Sequence, residues 1–190
     1  SRRQRQMCIR DSRMIAKSGA KPKRTILFIG FAGEEFGLLG AQAWVKAHKD
    51  KLPKIANLFN RDGGPEPPVG ISVPQAMYDD FVKISEPIQK IRPDYPFEVK
   101  VREPRKRPTR MGGTDASVFA IEGVPTLGFT TEDFKGYDFD YGEIWHTERD
   151  LYTKNIPEYQ EHTATVTAII ALGVANLDKQ LSREGLYTEE

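Results

Sequence analysis

The run TILFIGFA, Thr25–Ala32, constrains the fold more than any other stretch of the chain. It is apolar without alternation, so neither face can be given to water. A segment this short and this uniform reads as a strand buried on both sides, as in a parallel sheet covered by helices. Basic residues precede it and the pair Glu34-Glu35 follows it directly, at the mouth of a Gly-rich turn, FAGEEFGLLGA. Two like charges at the end of a buried strand are either solvated loop residues or a site that needs two carboxylates.

The remaining elements follow from the same patterns. Gly37–Lys49 reads as a helix with Leu38, Leu39, Trp44 and Val45 toward the core, and Ile55–Asn60 as a second short strand ending at Asp62-Gly63-Gly64. Pro65–Pro74 reads as a Pro/Gly-rich loop. Met77–Ile91 is helical despite Pro87, Phe97–Val101 is a strand, Arg102–Met111 a charged loop, and Asp115–Glu122 a short helix. Pro125–Thr130 is a third buried strand, and Glu132–Thr147 is aromatic and loop-like. A long helix begins at Pro157, with proline in its first turn, and runs to about Leu181. Its segment AIIALGVANL is apolar nearly all round and should pack deep against a sheet. Alternating strands and helices mean α/β layering.

Composition excludes several classes. The 190 residues suffice for one domain with a core, and 38% hydrophobic with 29% charged residues fits a globular protein. A net charge of +1 argues against nucleic acid or an anionic membrane as the dominant partner. No apolar run approaches the ~18 residues of a membrane span. The single cysteine, Cys8, rules out an internal disulfide framework. Ser1–Arg13, SRRQRQMCIRDSR, is basic and patternless, with no apolar stretch of the kind a secretory signal carries. The expectation is a non-native or disordered tail over 1–13, resembling translated adapter read-through, with the folded domain spanning 14–190.

In sheets of this class, ligands gather at the carboxyl ends of strands. Glu34 and Glu35, Asp62, and the loop after PTLGFT that leads to His146 all fall there. One of two adjacent glutamates can bind a metal while the other removes a proton from water. Asp62 before two glycines and the imidazole of His146 would complete an Asp/Glu/His set that suits zinc better than calcium. Each feature has a plainer reading. An EE pair is usually solvated, Asp-Gly-Gly is usually a turn, and a histidine beside Trp145 is usually packed. VKVREPRKRPTR, Val99–Arg110, lacks the aromatic interleaving of a nucleic-acid surface. It reads as a solvated loop or, if functional, as a rim that attracts a substrate carboxylate.

Four stretches in order carry a specific resemblance: TILFIGFAGEEFGLLGA, NLFNRDGG, GGTDASVFAIEGVPTLGF and EIWHTERDLY. Together they resemble the M28 family of zinc-dependent exopeptidases, which includes aminopeptidases and carboxypeptidase Q-like members. The resemblance runs from about Lys23 to the last helix. It implies a three-layer α/β sandwich with a mostly parallel central sheet flanked by helices, and two zinc ions about 3.5–4 Å apart. Carried over by motif, Glu34 resembles the general base, Glu35 and His146 ligands of one zinc, and Asp62 a ligand of the other. Asp115, in GGTDA, matches an acidic position beside the site, and Asp150 matches one that orients the His146 loop. The activity implied is hydrolysis of a terminal peptide bond, with a peptide as substrate and a secreted or periplasmic location.

Two departures stand out. The family takes a further histidine from an H-x-D stretch and a bridging aspartate from a Gly-Ala-x-Asp stretch, both upstream of the glutamates. Neither occurs in Ser1–Arg24, where Asp11 is the only aspartate. His48-Lys49-Asp50 spells H-x-D downstream, toward the end of a helix leading away from the site. The expectation is an N-terminally truncated piece of a metallo-exopeptidase, lacking two ligands and inactive alone. The alternative is a receptor-like relative that keeps the fold and binds without catalysis. Trp145 also stands where some members carry a tyrosine, and its indole only donates.

Overall fold

A computed structural model describes residues 2–188, with side chains from residue 9 onward. In chain order the elements are α1 (Arg2–Lys17), α2 (Leu39–Ala47), β1 (Pro68–Val73), α3 (Tyr78–Ile91), β2 (Glu98–Val101), α4 (Ala116–Ile121), β3 (Phe129–Thr131), α5 (Tyr141–Ile144) and α6 (Pro157–Asn176), with 3-10 turns between several of them. The architecture is α/β, a small sheet flanked by helices. The sheet order is β2-β1-β3. β1 runs parallel to β2, with Gly70 opposite Glu98 and Val73 opposite Val101, and antiparallel to β3, with Ile71 opposite Phe129.

The central strand β1 falls inside the stretch expected to be a Pro/Gly loop. Its prolines explain how it was missed and why it is tolerated. Pro68 is the first residue of the strand, where a missing N–H costs no central ladder bond, and Pro74 lies just beyond its end. Between them Ile71 and Val73 are fully buried and seed the main core. That core joins the sheet to α3 and α6 through Met77, Phe81, Ile88, Val166 and Ile170. α6 is buried along most of its length, as its nearly all-apolar segment requires.

Two expected strands do not form ladders. Thr25–Phe31 takes no regular secondary structure, and among the described residues no backbone hydrogen bond pairs residues 25–31 with another segment. A strand exists only where neighbours take its N–H and C=O groups. Leu27 is accordingly 62% exposed and Phe28 40%, whereas Phe31 packs into a second core. The Ile55–Asn60 stretch lies beside 124–128 but is held mostly by a side chain. The Asn57 amide donates to the Leu127 carbonyl at 3.2 Å and accepts from the Leu127 N–H at 2.8 Å, and only Leu58 N–H to Pro125 O at 2.9 Å is a backbone bond. Of the third expected strand, Pro125–Thr130, only the end enters β3.

The second core, built from Leu38, Ala41, Val45, Leu52, Val118, Phe119 and Val124, clamps α2 against α4. Both helices begin at the same end of this core, which sets Glu34-Glu35 and Asp115 near one another. α1 packs on α6 and carries Asp11, whose carboxyl burial pushes up to about 7. Among the described residues no helix is long and apolar enough to cross a membrane.

Candidate metal centre

The glutamate pair sits in a tight turn stapled onto α2. The carbonyl of Glu34 accepts from the N–H groups of Gly37 and Leu38 at 3.0 and 2.8 Å, and Ala32 O accepts from Gly40 N–H at 2.8 Å. A Cβ on Gly40 would meet Ala32 O at 2.6 Å, so only glycine lets the turn lie this close. Glu34 is half-buried and Glu35 exposed. They line a cleft of about 420 Å³ whose far wall is Met111, Gly112 and Gly113.

Asp115 follows that wall at the start of α4. It is 7% exposed, and its Oδ1 is buried with no hydrogen-bond partner among the described residues. Burial raises its pKa and the nearby Asp62 raises it further. Asp62 is half-buried in the loop that closes with Gly63-Gly64. A Cβ on Gly64 would stand 2.7 Å from the Phe139 ring and 3.2 Å from Tyr141, so this glycine brings the Asp62 loop against the segment that leads to His146.

His146 follows α5, which Asp140 caps by accepting from Gly142 N–H at 2.8 Å. Its φ is +55, in the left-handed region that non-glycine residues rarely occupy. The loop is held by Thr147 Oγ1 donating to Glu143 O at 2.7 Å and by Lys154 Nζ donating to Glu143 Oε2 at 2.9 Å. These bonds aim the imidazole at the glutamates. Its Nε2 is 3.1 Å from Glu35 Oε1 and 3.0 Å from Oε2. Asp150 closes the following turn through its N–H to Thr147 O at 3.3 Å.

Electrostatics tie these groups together. Glu34 has its pKa raised first by burial, then by the charges of Asp62, Glu35 and Asp115, with His146 opposing. The charges of Asp62, Glu35 and Asp115 thus disfavour ionisation of Glu34, and that of Asp62 disfavours ionisation of Asp115. Tyr141, which sequence reasoning passed over, lies in the same field. Burial and then the charges of Asp62, Glu35, Glu34 and Asp150 raise its pKa. Its ring stacks on Trp145 at 6.5 Å, a contact the spacing of the two residues alone does not tie to the glutamates. His48, by contrast, stacks on Trp44 at 4.5 Å, and its Nδ1 lies 2.9 Å from Trp44 O at the far end of α2 from the glutamates.

Donor type and donor number give different answers on a metal. Carboxylates, an imidazole and an unpartnered buried oxygen are the chemistry of a zinc site. Yet among the described residues no three His, Cys, Asp or Glu side chains converge as a cation cage.

A family model described as Peptidase family M28 matches residues 7–170. The chain belongs to peptidase family M28. Its match begins at Met7, inside the stretch expected to be a tail. Carboxypeptidase Q of Mus musculus is 23% identical over 175 residues, 90% of this chain and 33% of that protein. A probable zinc metalloprotease of Pyrenophora tritici-repentis is 50% identical over 42 residues, 22% of this chain and 10% of that one. The solved structure of a Peptidase M28 precursor from Shewanella amazonensis superposes with a TM-score of 0.70 at 24% identity, covering 93% of this chain and 37% of that chain. The chain thus spans about a third of the length of the curated relatives it matches.

Proposed function

We propose that this chain carries the general base and part of the metal-donor set of a zinc-dependent exopeptidase that hydrolyses a terminal peptide bond. The observation that carries this reading is the meeting of His146 Nε2 with Glu35 at 3.0–3.1 Å, beside Glu34 in one cleft. Membership of peptidase family M28 and a relative named as a zinc metalloprotease support it.

Glu34 is the group whose position and raised pKa suit proton removal from an attacking water, because a base works best when its pKa approaches the working pH. Glu35 and His146 are assigned as donors to one of two zinc ions and Asp62 as donor to the other. Asp115 stands behind them, where its buried oxygen can accept from a donor the substrate or a further loop brings. Asp150 fixes the turn that presents His146. Three donors divided between two ions fall short of the three protein ligands typical of each catalytic zinc. In this proposal the remaining histidine and aspartate come from sequence upstream of this chain, so residues 1–190 alone do not turn over substrate. The whole protein is exported, as the family resemblance implies.

Hydrolysis of aminoacyl-nitroanilides and dipeptides tests this reading, comparing the chain with one extended by its upstream coding sequence. The expected result is turnover by the extended protein that Glu34→Gln abolishes. An extended protein with neither zinc nor turnover would favour the receptor-like alternative instead.

A further inference from the structure

Among the described residues, three that are not glycine take a left-handed φ: Leu38 at +60, Asp138 at +56 and His146 at +55. Such a backbone is costly for a residue with a side chain. It persists where its surroundings hold it, and it clusters beside functional sites. Leu38 belongs to the glutamate turn, and His146 is itself a candidate donor. Asp138 belongs to neither and lies in the 133–139 loop between β3 and α5.

One carboxylate holds that loop. Asp133 Oδ1 accepts from Tyr137 N–H at 3.1 Å and Oδ2 from Phe139 N–H at 3.2 Å, so the two oxygens grip the backbone on either side of Asp138. Asp133 Oδ1 also accepts at 2.5 Å from the hydroxyl of Tyr159, a fully buried residue in the first turn of α6. The same hydroxyl accepts from Lys135 N–H at 3.0 Å. Burial works to raise the Asp133 pKa, but the bonds from Tyr159, Tyr137 and Phe139 outweigh it and hold the carboxyl below its ordinary value. Asp133 therefore stays ionised and able to accept all three. Beside Tyr159, Glu158 accepts from the hydroxyls of Tyr137 and Tyr95 at 2.6 and 2.7 Å and from Lys135 Nζ. The loop is thus fastened to α6, a helix buried along most of its length.

The far end of the loop meets the candidate donors. The Phe139 ring stands 2.7 Å from where a Cβ on Gly64 would lie, so this ring is the surface against which the Asp62 loop closes. Asp140 then caps α5, from which His146 follows. Groups that aim ligating side chains without touching the metal still govern how tightly it is held. Resting on the peptidase reading above, we propose that Asp133 is a positioning residue for both zinc sites. It locks the 133–139 loop on α6, and through Phe139 and α5 it sets where Asp62 and His146 stand.

Asp133→Asn keeps the shape of the side chain and removes one acceptor. The amide oxygen can still serve Tyr137 and Tyr159, but the NH2 group then faces the Phe139 N–H and that bond is lost. The 190-residue chain is labelled with fluorotryptophan and followed by fluorine NMR. Trp145 reports on the site, because its ring stacks on Tyr141 and lies 4.6 Å from the His146 ring. Trp44, stacked on His48 at the far end of α2, is the internal control. Zinc affinity is measured on the chain extended upstream. Asp133→Asn should move the Trp145 signal by more than its linewidth, leave the Trp44 signal in place and weaken zinc binding about tenfold or more. Val166→Ala, a cut into the main core, should lower the melting temperature yet leave both signals in place and zinc affinity within about twofold. All spectra are taken well below the melting temperature of either variant. The proposal is overturned by an unmoved Trp145 signal, by equal movement of both signals, by the same Trp145 movement in Val166→Ala, or by parental zinc affinity in Asp133→Asn. An extended parent that binds no zinc counts against the peptidase reading instead, and the fluorine spectrum is read without it.

Discussion

Glu35 and His146, 111 positions apart in the chain, meet with the imidazole Nε2 within 3.1 Å of both carboxylate oxygens. Both side chains are more than half exposed, so the pair adds little to stability as an ion pair. The strained φ of His146 and the Thr147–Glu143–Lys154 brace make sense if the contact is there to share a cation. In the chain extended upstream, His146→Ala and Glu35→Gln should each lower zinc affinity by about 10–100-fold or more while leaving the melting temperature of the metal-free protein nearly unchanged. Isothermal titration with zinc beside a thermal melt checks both halves of that expectation.

Glu34 gives a pH signature. Its folded pKa is raised, so ionising it opposes folding. The stability linked to it is fully present below the unfolded value of about 4.3 and is lost as pH rises through the higher folded value. Glu34→Gln removes that loss. The variant should melt higher than the parent at pH 8, and the two should converge near pH 4. In the extended, active protein the same change should lower kcat by about 10²–10⁴-fold.

Gly64 tests the packing that brings Asp62 to the His146 segment. Gly64→Ala places a methyl group 2.7 Å from the Phe139 ring. The expected cost is about 1–3 kcal/mol, which for a chain of this size is a fall in melting temperature of roughly 2–4 °C per kcal/mol. Phe139→Ala should relieve the clash, and a double variant as stable as Phe139→Ala alone would show it.

Much of this arrangement was legible in the residues. The helices α3, α4 and α6 announce themselves by apolar spacing, and Pro157 marks the start of the last. The EE turn is legible because Gly33, Gly37 and Gly40 permit a reversal that few other sequences make. The central strand β1 was not, since Pro67, Pro68, Gly70 and Pro74 carry loop statistics, whereas Ile71 and Val73 decide the matter by burial that only the folded chain reveals. TILFIGFA has the intrinsic pattern of a strand, but pairing is a property of neighbours. Asn57, whose amide stands in for two ladder bonds, could not be foreseen because that role depends on where Leu127 falls.

His162 supplies a second pH effect far from the glutamates. It is fully buried, stacks on Tyr95 at 3.8 Å, bonds Pro68 O through Nε2 at 3.0 Å, and has no partner for Nδ1 among the described residues. Burial pushes its pKa down to about 4, Arg92 and Lys135 add to the shift, and Pro68 O and Asp94 oppose it. A depressed histidine contributes stability above its ordinary value of 6.5, lost as pH falls from there toward 4. Roughly 2–4 kcal/mol should disappear over that window. His162→Gln, which keeps a donor for Pro68 O, should flatten the acid limb of the melting profile, and an unaltered limb would refute the assignment.

The central claim is that this chain holds part of a two-zinc exopeptidase site, and counting zinc tests it most directly. Zinc is measured by elemental analysis after exhaustive dialysis, in residues 1–190 and in the chain extended upstream. The account predicts less than one tightly held zinc per chain for residues 1–190 and two for the extended protein, with peptide hydrolysis appearing only in the latter. Two tightly held zinc ions and robust hydrolysis by residues 1–190 alone would contradict it.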